Sequence, residues 1–212
     1  MSTWKTRIFD GDPKIAADLQ GAGAPVVFLH GLGGNRTNWH DQLPYFAEFA
    51  TAIAWDARGY GESGDYDGPY TFTDVSDDLA RLLDQIAAPK AHLVGLSMGG
   101  RIALEFSGRY PERVSSITFA ATSARPGQPP TASERDEGLR LRRQPFVDGS
   151  GPKGMAENML PNLVSAQATD DMRQRIYDSL ITIHPECYLK SVETVVSYAG
   201  FPPFSSIGAP CL

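Results

Sequence analysis

The chain has 212 residues, 42% of them apolar and 21% charged, with a formal net charge of −6. Such a composition suits one globular domain, or a core with one insertion, with enough apolar residues for a sizeable interior. The acidic balance and the lack of any basic run argue against nucleic acid and anionic membrane surfaces as partners. The two cysteines, Cys187 and Cys211, show neither metal-ligand spacing nor a disulfide framework and read as reduced thiols. The N-terminal stretch lacks the apolar segment of a signal peptide. No apolar run reaches the roughly 18 residues of a membrane span. A cytoplasmic protein without metal or organic cofactor is expected.

In chain order, residues 4–20 alternate apolar and polar positions around Asp10-Gly11, which predicts a hairpin with Gly11 at positive φ. "PVVFLHG" (25–31) is a short continuous apolar run closed by glycine, the pattern of a buried parallel strand. Residues 37–50 read as a helix in which Pro44 marks a first turn or a kink. Residues 51–64 read as a strand ending in a glycine-rich loop. Val75, Leu79, Leu82, Leu83 and Ile86 share one helical face. "KAHLVGL" predicts the next strand, residues 98–111 a helix and residues 113–122 another strand. Alternating strands and helices after an opening hairpin argue for a mostly parallel sheet with helices on both faces. From residue 124 a proline-rich polar stretch reads as a linker, and residues 134–200 read as helical, most clearly over 165–183 and 187–201. Residues 207–210 look like the approach to one more strand, with Cys211 and Leu212 as its first residues.

Gly95-Leu96-Ser97-Met98-Gly99 matches G-x-S-x-G at a strand-to-helix junction, with Gly100 following. At such a turn the glycines leave room for the neighbouring strand and helix, and the serine hydroxyl is held out above the sheet. The helix N-terminus then favours a developing oxyanion. A serine acting only as helix N-cap is the plainer alternative. The loop "FLHGLGGN" (28–35) follows the first parallel strand. By spacing, its Leu32 N–H is the second oxyanion donor, beside that of Met98. Gly31 lets backbone approach a substrate, and His30 at the strand end is expected to shape this loop rather than act as a base.

The segments "HGLGGN" (30–35), "WDARGYGES" (55–63), "GLSMGG" (95–100) and "YPERV" (110–114) resemble, in order and spacing, the α/β-hydrolase fold family. Within it, the chain resembles the cap-bearing esterases and lactonases of the 3-oxoadipate enol-lactonase-like group. The resemblance implies a core over 1–123, a helical cap over 124–205 and the start of the returning core at 206–212. It implies that Asp56 and Arg58 tie a strand end to the neighbouring loop. Dehalogenases and epoxide hydrolases are set aside, because they carry aspartate where this chain has Ser97.

A serine hydroxyl needs a positioned base, and that base needs an orienting acid. The family order is serine, acid, histidine, with the last two after strands that follow the cap. His30, His40 and His92 precede the serine. His40 reads as exposed on the first helix and His92 lies at the wrong end of its strand. His184 falls in the cap region. The acid and histidine are therefore expected in a segment beyond Leu212, of about 50–60 residues, or in a separate C-terminal chain. The resemblance implies cleavage of a small or medium carboxylic ester or lactone through an acyl-serine intermediate. A cofactor-free perhydrolase or haloperoxidase using the same serine, or a non-catalytic binding protein on the same scaffold, are the rival expectations.

Overall fold

The computed structural model describes residues 4–123 and 131–212. Strands β1 (Lys5–Phe9) and β2 (Ile15–Gly21) form the expected antiparallel hairpin, with Phe9 opposite Ile15 and Gly11 at φ 149° in the connection. The other four strands are β3 (Pro25–Leu29), β4 (Thr51–Trp55), β5 (Ala91–Leu96) and β6 (Val114–Ala120). They run parallel to one another, and the sheet order is β1-β2-β4-β3-β5-β6. From β3 the chain moves to one side to make β4, then crosses to the other side to make β5. The order therefore reverses at β3, where open parallel sheets form a crevice at their carboxyl ends. His30 at the end of β3 and Ser97 at the end of β5 both lie there.

Side chains alternate across a strand, so β3 feeds two cores. Val27 and Leu29 pack with Val75 and Leu79 of α2 (Phe72–Gln85) and Ile102 of α3 (Met98–Arg109). Val26 and Phe28 face the other way, onto Trp39 and Leu43. Helices thus cover both faces, and a strand buried on both sides must be apolar throughout.

The single helix expected over 37–50 is instead a 3₁₀ turn, Arg36–Trp39, followed by a short α-helix, α1 (Gln42–Phe46). Asn35 and Asn38 cap the 3₁₀ turn reciprocally, and Pro44 sits in the first turn of α1, where a missing N–H costs nothing. His40, expected to be exposed, closes the 3₁₀ turn. Its Nε2 lies 2.7 Å from the Asp18 carboxylate and its ring stacks 4.1 Å from Trp4. Asp18 is buried in β2 and draws in cationic and donor partners, Arg36, His40 and Thr6 among them.

After β6 come α4 (Ala132–Val147), α5 (Gly151–Leu163), α6 (Asp170–Ile181) and α7 (Pro185–Ser197). The first part of the predicted linker lies outside the described residues, but from Thr131 onward the chain is helical rather than a linker. Thr131 Oγ1 accepts the Glu134 N–H at 3.2 Å, and the Glu134 carboxylate accepts the Thr131 N–H at 2.8 Å. This T-x-x-E capping box overrides the polar composition around it. The expected approach to a further strand is present: Cys211 forms a parallel bridge with Ile117, and Leu212 N–H donates to the Ile117 carbonyl at 2.9 Å.

One buried carboxylate fixes how two loops meet. Asp56, directly after β4, accepts the Arg36 N–H at 2.6 Å and the Glu62 N–H at 2.9 Å, and pairs with the Arg36 guanidinium. It joins the loop after β3 to the loop after β4. Arg58 instead reaches a helix, donating to Asp78 of α2 at 2.6 and 3.0 Å. Asp56→Ala leaves two N–H groups without their acceptor and takes one of three carboxylate partners from the Arg36 guanidinium, which keeps Asp18 and Glu62. It should lower stability by about 2–4 kcal/mol, read as a shift of the urea-unfolding midpoint without a change in slope.

Candidate active site

β5 ends at Leu96 and α3 begins at Met98, so Ser97 alone makes the turn. It does so at φ 53°, ψ −107°, a conformation that costs a non-glycine residue about 1–3 kcal/mol. The neighbours make that turn possible. A side chain at Gly95 would collide with the backbone of Gly99 and Gly100. One at Gly99 would strike the Leu29 and His30 carbonyls, and one at Gly100 would strike Thr122. Helix α3 is thereby pressed directly against the ends of β3 and β5. Ser97 occupies the N-cap position, yet its side chain makes no capping hydrogen bond and is exposed. The hydroxyl is left free for an incoming group.

The loop after β3 lies alongside. A Cβ built on Gly31 would be 3.6 Å from Ser97 Cβ. Among the described residues, neither the Leu32 nor the Met98 N–H has an assigned acceptor. Met98 is the first residue of α3, where the helix leaves its N–H unpaired and its dipole is positive. His30 is fully buried and clamps this loop. Nδ1 lies 2.9 Å from the Gly31 carbonyl, and Nε2 accepts the Ala57 N–H at 3.1 Å. Those partners call for the tautomer with hydrogen on Nδ1 and leave no room for a second proton. Burial accordingly holds the imidazole below the ordinary histidine range.

Ser97, Gly31 and Leu32 open into a cavity of about 700 Å³. Its apolar lining includes Met159 and Leu163 of α5, and Met172, Ile176 and Leu180 of α6. Sequence reading marked this block as helical but did not assign these residues to the site, because their apolar positions are shared between the cavity and packing onto neighbouring helices.

No histidine of the described residues touches Ser97. His40 is held by Asp18, and the His92 Nδ1 lies 2.7 Å from Ser116 Oγ near the start of β5. His184 precedes α7, bound to the Asp65 carboxylate and to the Gly61 carbonyl at 3.1 Å. It lines a different cavity, beside Cys187, whose thiol burial pushes up to about 11. Among the described residues there is no His, Cys, Asp or Glu cluster suited to a metal ion, and no helix long and apolar enough to cross a membrane.

Comparison with known proteins gives this arrangement a context. Residues 24–148 match the alpha/beta hydrolase fold family. The 3-oxoadipate enol-lactonase 2 of Acinetobacter baylyi is 34% identical over 103 residues, 49% of this chain and 39% of that protein. A thermophilic esterase from Thermogutta terrifontis has a TM-score of 0.84 at 25% identity, covering 98% of this chain and 78% of its own. An enzyme described as degrading N-acyl homoserine lactones has a TM-score of 0.77 at 25% identity, covering 97% and 79%. The chain spans about half the length of the curated relatives it matches. Nothing in these comparisons supports a separate C-terminal segment supplied by another chain.

The His30 clamp carries a pH signature. The unfolded chain takes up a proton at this imidazole near pH 6.5, while the folded chain resists it. Its contribution to stability is therefore complete above that pH and falls away as the solution is acidified below it. His30→Asn should lower stability at pH 8 and flatten the loss between pH 7 and 5, as read by urea unfolding across that range.

Proposed function

This chain belongs to the alpha/beta hydrolase fold family, and we propose that it carries the nucleophile of a serine hydrolase for carboxylic esters or lactones. The observation that carries this reading is Ser97 itself. A strained turn holds its hydroxyl uncapped and exposed, at a helix N-terminus and on the wall of a cavity. A serine kept only as a helix cap would use its oxygen for capping.

In the proposed reaction Ser97 Oγ attacks the substrate carbonyl. A base takes the hydroxyl proton, and the tetrahedral oxyanion is held by the Leu32 and Met98 N–H groups. Collapse expels the alcohol, which receives that proton, and water then releases the acid from the acyl-serine. The histidines of the described residues are all engaged elsewhere. The base and its orienting acid are therefore assigned to sequence outside these 212 residues. Residues 1–123 form the core of this reading, 124–205 its helical cap and 206–212 the return to the core. A cavity of about 700 Å³ suits a small or medium ligand rather than a polymer.

The test is turnover of short-chain esters and aliphatic lactones by the whole protein. Ser97→Ala should reduce kcat by at least about 10³-fold while leaving affinity for a non-hydrolysable analogue unchanged. Turnover that survives the substitution would remove Ser97 from the mechanism. Peroxide-dependent bromination in acetate, lost with the same serine, would move the reading to peracid chemistry.

A further inference from the structure

The cavity over Ser97 is lined by three arginines, Arg101, Arg142 and Arg175, and by one carboxylate, Asp41. In a protein of net charge −6 this is a local reversal of sign. Two of the arginines are committed. Arg175 pairs with Asp41 at 2.8 Å and with Asp171 at 3.1 Å. Arg101 is fastened to the Ser123 carbonyl at 2.8 Å and to the Val195 carbonyl.

Arg142 of α4 differs. Among the described residues it makes no ion pair. Its guanidinium gives a hydrogen bond from Nη1 to the Gly138 carbonyl of its own helix at 3.2 Å. Its Nε is buried with no acceptor. A guanidinium carries five donors in a planar fork that matches a carboxylate at two points. Arg142 is half-buried, so its guanidinium is partly withdrawn from water with no anion beside it, which is unfavourable. The cavity it lines also carries apolar side chains, Met159 and Leu163 among them, which would strengthen its attraction to an anion that entered.

We propose that Arg142 binds a carboxylate in this cavity, and that the substrate is an ester or lactone carrying a free carboxylate group. The substrate half of this inference rests on Ser97 being the nucleophile. The anion-binding half does not. Arg142 acts in substrate selection, so its removal should weaken binding of an anionic substrate far more than it affects the chemical step.

The experiment compares monoethyl glutarate with ethyl pentanoate, which has a methyl group where the former has a carboxylate. The whole protein should favour monoethyl glutarate by tenfold or more in kcat/KM. Arg142→Gln should erase that preference, losing about 10- to 100-fold more on the charged ester than on the neutral one, chiefly through KM. Arg142→Lys should recover part of it. In parallel, binding of monoethyl glutarate to Ser97→Ala protein is titrated calorimetrically, with and without Arg142→Gln. Arg142-dependent binding there, with no turnover of these esters or of the short-chain esters and lactones above by the unsubstituted protein, would sink the serine-hydrolase reading and leave the anion site standing. Equal losses on both esters, or calorimetric binding indifferent to Arg142→Gln, would overturn the inference and return Arg142 to bracing its own helix.

Discussion

The turn at Ser97 is the constraint on which the rest of the structure depends. A strand and a helix meet there with a single residue between them, at positive φ. Such a junction survives only if nothing intrudes on it. Gly95, Gly99 and Gly100 are each pressed against backbone or against Thr122, so the strand, the helix and the end of β3 are in direct contact. The strain of one residue is held by burial around it: Met98, Gly99 and Gly100 are all buried, while Ser97 alone is exposed. A side chain placed this way is held in place because the packing behind it is dense.

The second half of the site depends on a different kind of force. The loop after β3 contains no regular hydrogen-bond ladder, and polar side chains set its course. His30 reaches from the loop start to the Ala57 N–H, while Asp56 gathers the Arg36 and Glu62 N–H groups and the Arg36 guanidinium. Both ties join the loop after β3 to the loop after β4. Parallel strands alone would bring those loops near each other. The buried polar clamp decides their relative position, and with it where the Leu32 N–H lies with respect to Ser97. Such a clamp works because each buried partner would be costly to leave unpaired.

The helices after β6 enclose the cavity beside Ser97. α5 and α6 lend apolar side chains to the cavity. α7 is anchored below by polar contacts, Ser191 with Tyr60, and Thr194 donating to the Tyr70 carbonyl. The wall is mixed in character: aliphatic and thioether groups beside arginines, of which Arg175 is paired with Asp41 and Asp171.

How much of this was legible in the sequence follows the range of each interaction. The parallel strands, α2, α3 and the G-x-S-x-G turn rest on contacts within about ten residues, or on apolar periodicity imposed by the sheet. They could be read directly, and the alpha/beta hydrolase fold with them. The capping box at Thr131 was equally local, and a proline-rich context masked it. The break in the expected 37–50 helix was half-legible, since Pro44 and the Asn35/Asn38 pair are both signals for it. What the sequence could not decide were the partners brought together across the fold. His40 looks like a surface residue until β2 places the buried Asp18 beside it. His184 could have overhung either cavity, and only the packing of α7 sends it to Asp65, away from Ser97. Arg142 reads as one cation among several on a polar helix. Only the tertiary structure shows that, among the described residues, its neighbours leave it without a carboxylate, because which charges are paired depends on burial and geometry across distances that no local pattern encodes.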